Sequence, residues 1–140
     1  MPCSPLNRPN VTARAVAVAD LYGAQPDEIA FGQNMTSLTY AVSRALARTW
    51  SSGDNILLTR LDHDANVTPW VQAAADAGVE VRFVDFRPEE GCVLDLDTLD
   101  AALDGRTRLV AFTHASNAVG TVTPVAEIVG RAHAAGALTY

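Results

Sequence analysis

Lysine is missing from this sequence of 140 residues, in which all ten basic residues are arginines. Chemistry that begins from a lysine amine, such as imine formation with a carbonyl compound, therefore has no nucleophile among these residues. Cysteine is also scarce, since only Cys3 and Cys92 occur. Two thiols with no metal-ligand spacing exclude a disulfide scaffold and are typical of a protein from the reducing cytoplasm.

Two further absences exclude other partners. The net charge is −6 and no basic cluster occurs, so the sequence predicts no binding to nucleic acid. No apolar run reaches the roughly 18 residues of a membrane span, and residues 1–5 do not resemble a signal peptide. The hydrophobic residues that are present, 49% of the chain, are enough for one domain with a buried core.

Short apolar segments alternate with segments of helical periodicity along the whole chain. Strands are predicted over 28–31, 55–59, 79–85 and 109–113, and from 137 onward. Helices are predicted from an Asn10 or Thr12 cap to about 21, and at 38–49, 67–77, 97–103 and 125–135. Apolar strands joined by helical crossovers predict an α/β fold, a parallel sheet in an α/β/α sandwich.

Three polar loops follow predicted strands, over residues 32–36, 60–66 and 113–120. The carboxyl ends of parallel strands meet at one edge of a sheet, where ligands of open α/β folds bind. The loops at the opposite edge hold ordinary turn residues. This asymmetry predicts a ligand site built from the three polar loops.

Each loop has one candidate group and a simpler alternative. Backbone N–H groups and the hydroxyl of Thr36 favour an anion such as phosphate, although Asn34 or Thr36 could serve only as a helix cap. His63 could stack on a flat ring, move a proton or bind a metal, or bond only to local backbone. Asn117 could donate to a ligand oxygen or simply form a turn. Neither a dinucleotide fingerprint nor a P-loop is present.

Four phrases, taken in order and spacing, resemble the class V aminotransferase family, which includes cysteine desulfurases and selenocysteine lyases. They lie at residues 27–31, 34–36, 61–70 and 113–121, and the likeness extends from about residue 11 to 140. The resemblance implies pyridoxal 5′-phosphate (PLP) as the cofactor. One departure is Asn34-Met35-Thr36-Ser37, where many desulfurases have Gly-Thr-Thr-Glu, which is similar to a desulfurase-like branch with a poorly defined substrate.

The resemblance also implies a role for each candidate residue. The backbone of Met35 and the residue Thr36 would bind the cofactor phosphate. His63 would stack on the pyridine ring and assist proton transfer, which makes it the catalytic candidate. Asn117 would approach the phenolic oxygen of the cofactor. These roles require the turns at 35–36, 63 and 117 to converge on one side of the sheet.

Three prolines among residues 1–9 predict an irregular segment at 1–10. For the rest of the chain, the resemblance implies an incomplete large, cofactor-binding domain of fold type I at 11–140. The family's Schiff-base lysine and the aspartate that bonds the pyridinium nitrogen have no counterpart here. We therefore expect part of a homodimeric lyase or transferase acting on an amino acid, inactive as this chain alone. The alternatives are a non-catalytic α/β binding module derived from that fold and a small doubly wound protein of another class.

Overall fold

A computed structural model describes the backbone of residues 8–140 and their side chains from Thr12 onward. The chain divides into two compact units, one ending at Gln33 and the other comprising Asn34–Tyr140. Among the described residues, no helix combines the length and the apolar character that crossing a membrane requires.

The first unit contains helix α1, Arg8–Tyr22, and a 3-10 turn at Pro26–Glu28. The helix begins before the predicted caps Asn10 and Thr12, and it ends as predicted before Gly23, whose φ of 67° suits glycine. An irregular segment was predicted over residues 1–10, but residues 8–10 are helical because they form the first turn of α1, and residues 1–7 lie outside the described part.

The strand predicted over residues 28–31 is wrong. Glu28 ends the 3-10 turn, and residues 29–31 adopt no regular structure. A strand needs backbone hydrogen bonds to a neighbour, and within residues 8–140 no strand pairs with this segment. The apolar sequence Ile29-Ala30-Phe31 alone could not reveal that lack.

The second unit holds a four-stranded parallel sheet in the order β2-β1-β5-β6, and a separate antiparallel pair β3-β4. The strands are β1 Asn55–Thr59, β2 Glu80–Val84, β3 Phe86–Arg87, β4 Val93–Leu94, β5 Thr107–Ala111 and β6 Leu138–Thr139. The helices are α2 Met35–Ala47, α3 Thr68–Ala77, α4 Leu96–Ala102 and α5 Val125–Ala134. The predicted α/β order is confirmed, but the β3-β4 pair was not predicted because two-residue strands are too short to show alternation.

Side chains of β1 alternate between two cores, one on each face of the sheet. Ile56 and Leu58 pack with Trp70 of α3 and with residues of α2, whereas Leu57 packs with Leu99 of α4 and Ile128 of α5. All five residues of β1 are buried. The sheet is therefore covered on both faces, which is the predicted α/β/α sandwich.

Candidate functional site

The first predicted site segment forms the start of α2. Asn34 is the cap, and its Oδ1 accepts a hydrogen bond of 2.9 Å from the N–H of Ser37. The N–H groups of Met35 and Thr36 therefore keep no partner within the helix. Both residues are exposed. The capping alternative is confirmed for Asn34, and it leaves two backbone donors and the Thr36 hydroxyl available for an anion at the positive end of the helix dipole.

His63 lies in the turn that follows β1, as the cap of a short 3-10 turn at Asp64–Asn66. Its Nδ1 accepts a hydrogen bond of 3.0 Å from the N–H of Ala65, so the neutral ring carries its proton on Nε2. The residue is exposed. The predicted alternative of a local backbone bond is therefore confirmed, yet the bond uses only one nitrogen, and Nε2 has no hydrogen-bond partner in the described part of the chain.

Asn117 lies in the loop after β5, which is closed by a bridge between Ala115 and Val122. Ser116 organises the loop, because its buried hydroxyl accepts bonds from the N–H groups of Ala118 and Val119, each at 3.3 Å. Asn117 itself is exposed. The turn predicted around Asn117 is present. Its carboxamide has no hydrogen-bond partner within the described chain.

Tyr140, directly after β6, joins the first two of these loops. Its hydroxyl lies 2.9 Å from Oγ1 of Thr39, which also donates to the carbonyl of Met35 at 2.9 Å. Its ring meets Trp70 edge-on, with the ring centroids 4.9 Å apart. Trp70 in turn donates from Nε1 to Oδ1 of Asn66 at 3.1 Å. A continuous line of side chains therefore runs from the start of α2 to the turn that carries His63.

Asp62 continues this line beside His63. Its Oδ1 accepts from Nδ2 of Asn66 at 2.8 Å, and its Oδ2 accepts from the hydroxyl of Thr59. Burial raises the pKa of Asp62 above its ordinary value, while the hydrogen bonds from Thr59, Asn66 and the backbone of Thr113 act in the opposite direction.

The structure thus connects the Met35–Thr36 segment to the turn of His63 by direct contacts. The Asn117 loop follows β5, the strand that pairs in parallel with β1, so it begins at the same edge of the sheet as the turn of His63. The ligand-binding roles of Met35, Thr36, His63 and Asn117 stay predictions. Within residues 8–140, no cluster of three or more His, Cys, Asp or Glu is arranged to hold a metal ion.

Asp62, Trp70 and Tyr140 were not recognised as site residues from the sequence. Asp62 was predicted only as part of the polar loop 60–66, and Tyr140 only as part of the strand from 137 onward. Their partners lie as far as 101 residues apart in sequence, so no local spacing could identify them. The one available signal was the concentration of polar residues in the segment 59–66.

An apolar hollow of about 250 Å³ lies beside the carboxyl ends of β5 and β6. It is lined by Phe112, His114, Val125, Val129, Thr139 and Tyr140. None of the four predicted site residues lines this hollow, but Tyr140 belongs both to its lining and to the line of contacts described above.

Comparison with known proteins gives consistent matches. The model of the family described as aminotransferase class-V matches residues 10–140. A cysteine desulfurase of Dickeya dadantii is 38% identical over 125 residues, which cover 89% of this chain and 30% of that protein. The chain therefore spans about a third of the length of such relatives.

Two solved structures extend the likeness to three dimensions. The apo cysteine desulfurase of Thermococcus onnurineus superposes with a TM-score of 0.84 at 29% identity, over 92% of this chain and 32% of that one. A C-DES mutant with glycine covalently linked to its PLP cofactor gives a TM-score of 0.75 at 25% identity, over 95% of this chain and 35% of that one.

Proposed function

We propose a function from one premise: the chain belongs to the class V aminotransferase family. The function is that of a cofactor-binding part of a PLP-dependent enzyme of the cysteine desulfurase type, which acts on an amino acid as a lyase or transferase. The observation that carries it is the line of contacts that holds the start of α2 and the turn of His63 together at the carboxyl edge of the sheet.

The start of α2 suits the phosphate of PLP. The free N–H groups of Met35 and Thr36 lie at the positive end of a 13-residue helix, and the Thr36 hydroxyl adds a third donor. Neutral donors of this kind bind a dianion without needing a nearby cation. The Asn34 cap holds the first turn in place without consuming these donors.

The other two loops suit the ring of the cofactor. The exposed imidazole of His63 is held on one side by Ala65, which leaves its face for stacking and Nε2 for a proton. In this neutral form Nε2–H is a donor, and Nε2 could accept a proton only in the other tautomer, with the proton on Nδ1 and the bond from Ala65 lost. The exposed Asn117 carboxamide supplies a donor for a phenolic oxygen.

When bound, PLP supplies an electron sink for carbanionic chemistry at the α-carbon of an amino acid. The residues of this chain bind its phosphate, orient its ring and hold a proton at Nε2 of His63. None of the 140 residues is a lysine, so these residues contribute binding and orientation and supply no Schiff-base amine. The function that we propose for this chain alone is therefore binding and orientation of the cofactor, without catalysis.

We extend the proposal to the setting of the protein. The enzyme acts as a homodimer in the cytoplasm. Two cysteines without a disulfide scaffold support the compartment. The homodimer follows from the family resemblance, and sedimentation analysis of a longer relative that contains this sequence would test it.

Binding of 4′-deoxypyridoxine 5′-phosphate to the purified chain tests the proposed site. This probe keeps the phosphate and the ring of PLP but lacks the aldehyde, so it cannot react with the N-terminal amine. Titration should show saturable binding, and pyridoxine without phosphate should bind at least about tenfold more weakly, because the charge-assisted hydrogen bonds at α2 are lost. ATP serves as the probe for the alternative of a nucleotide-binding protein.

Equal affinity for the phosphorylated and unphosphorylated probes would exclude the phosphate role of Met35 and Thr36. Tighter binding of ATP than of the PLP analogue would favour the other class of doubly wound protein. Thr36→Ala should weaken binding of the analogue, whereas Ser51→Ala, in a turn at the opposite edge of the sheet, should leave it unchanged.

A further inference from the structure

We infer that Asp62 is a positioning residue that fixes the turn carrying His63 and relates it, through a line of side-chain contacts, to the start of α2. The inference rests on the proposed function for the identity of the ligand. The effect of Asp62 on His63 does not depend on the proposed function, because that effect is measurable without ligand. Asp62 would contact neither phosphate nor ring and would act through the residues that do.

The carboxylate of Asp62 accepts hydrogen bonds from two residues, one before and one after His63 in the chain. Thr59, the last residue of β1, donates its hydroxyl to Oδ2 of Asp62. Asn66, the last residue of the 3-10 turn, donates from Nδ2 to Oδ1 at 2.8 Å. Thr59 and Asn66 are both buried, so these two anchors are fixed by the surrounding core. The exposed His63 between them is held at a defined distance from the sheet.

The Asn66 side chain extends this line of contacts from the turn of His63 to α3 and α2. Its Oδ1 accepts from Nε1 of Trp70, which is fully buried and packs against Tyr140. Tyr140 reaches Thr39 in the first turns of α2. The amide of Asn66 is thus fixed in one orientation, since its oxygen faces the indole N–H and its NH₂ faces the carboxylate. Asp62 is the acceptor that this orientation requires.

The neighbouring Asp64 provides an internal comparison. It lies in the same turn on the other side of His63, is exposed, and accepts a hydrogen bond of 2.6 Å from the Thr68 hydroxyl at the start of α3. That bond joins two residues of one short segment and reaches no other loop. Two carboxylates therefore flank His63, and only Asp62 belongs to the line that joins β1, α3 and α2.

The environment of Asp62 is unusual for a structural carboxylate in this protein. Its hydrogen-bond partners Thr59 and Asn66 are neutral, whereas the buried Asp54 has two arginine partners. A partly buried carboxylate without a cation is costly to keep ionised. Because this unfavourable carboxylate lies next to the predicted catalytic histidine, we assign Asp62 a role in positioning and not in stability alone.

Asp62→Asn and Asp64→Asn form a matched pair for the test. Asn at position 62 keeps the shape of the side chain but presents an NH₂ group to either the Thr59 hydroxyl or the Asn66 amide, so one donor loses its acceptor. Nitrogen-15 NMR of His63, without ligand, should show that Nδ1 loses its hydrogen bond from Ala65 in Asp62→Asn. The same signals should be unchanged in Asp64→Asn.

Ligand binding adds a second readout on the same proteins. Asp62→Asn should weaken binding of 4′-deoxypyridoxine 5′-phosphate about tenfold, as removal of an outer hydrogen-bond partner typically does. Its affinity for inorganic phosphate should stay within about twofold, because α2 keeps its own cap. Asp64→Asn should change neither affinity by more than that factor.

Unchanged His63 signals in Asp62→Asn, or the same change in Asp64→Asn, would overturn the inference. If Asp62→Asn does not fold, Thr59→Val and Thr68→Val provide a milder pair with the same expected contrast, and equal effects on His63 would again count against Asp62. A wild-type chain that binds no analogue, while His63 still responds to Asp62→Asn, would reject the proposed function and leave the positioning role intact.

Discussion

The two edges of the sheet use polar side chains in opposite ways. At the amino-terminal edge, the buried carboxylate of Asp54 lies 3.1 Å from Nε of both Arg106 and Arg108. At the carboxyl-terminal edge, Thr36, His63 and Asn117 are exposed and keep donors free. The first edge has its polar groups paired within the fold, and the second leaves them available for a ligand.

A second group at the amino-terminal edge shows the same pairing. Asp104 accepts from Arg82 at 2.7 Å and from Nδ2 of Asn55 at 2.9 Å, while Oδ1 of Asn55 accepts from Thr107 at 2.8 Å. The Arg82 guanidinium beside Asp104 holds the pKa of that carboxyl far below its usual range. Polar residues at this edge therefore stabilise the fold, and substitutions at the two edges should separate stability from binding.

The largest expected effect is at the amino-terminal edge. Asn55→Ala should lower the free energy of unfolding by about 2 kcal/mol, because the buried hydroxyl of Thr107 and the exposed carboxylate of Asp104 both lose their partner. Urea denaturation followed by circular dichroism measures it. Binding of the PLP analogue to the folded protein should be unchanged, and a loss of binding without a loss of stability would contradict the division between the edges.

His63→Ala should have the opposite result, a loss of binding without a loss of stability. Binding of the PLP analogue should weaken about tenfold through the loss of stacking, while the free energy of unfolding should change by less than about 0.5 kcal/mol because the residue is exposed. His133→Ala, at an exposed histidine of α5, is the matched control and should change neither quantity. Equal loss of binding in both variants would remove His63 from the site.

Tyr140→Phe tests whether the two loops at the carboxyl-terminal edge are coupled. The substitution keeps the ring on Trp70 but removes the bond to Thr39, so stability should fall by about 1 kcal/mol. Thr39 keeps its bond to Met35. In Tyr140→Phe, the affinity for phosphate should fall together with the stability. Tyr22→Phe, in an exposed position of α1, should alter neither the stability nor the affinity for phosphate.

The smallest expected effect is the pH dependence of stability. Arginine partners hold the pKa of Asp54 and Asp104 below the ordinary 3.8, so the unfolded chain binds more protons in acid. Their stabilising contribution is present above pH 4 and is lost as pH falls through the lower, folded pKa values. The raised pKa of Asp62 acts in the opposite sense, since its contribution declines as pH rises through that value.

Unfolding of Asp104→Asn, followed between pH 6 and pH 2, should therefore show a shallower loss of stability than the wild type. Asp76→Asn is a suitable control, because Asp76 is exposed and has no ion pair within the described chain. An identical slope for wild type and Asp104→Asn would show that the arginine network does not govern acid unfolding.

Prediction from sequence succeeded where the signal is local. The helix predicted over 67–77 corresponds to α3, which ends at Ala77 before Gly78 with its φ of 67°. The apolar segment 55–59 was expected to be a buried strand, and all five of its residues are buried. Prediction failed for residues 28–31, where a partner strand decides the outcome, and it missed the short β3-β4 pair.

The sequence by itself determined the alternation of strands and helices, the parallel α/β/α fold, and the family, because periodicity and contiguous phrases are properties of neighbouring residues. It also set the limit that lysine is absent. Only the tertiary structure decided that Asp62, Asn66, Trp70, Tyr140 and Thr39 form one line of contacts. The physical reason is that a hydrogen bond needs atoms within about 3 Å, and parallel β-strands bring such atoms together from residues distant in sequence.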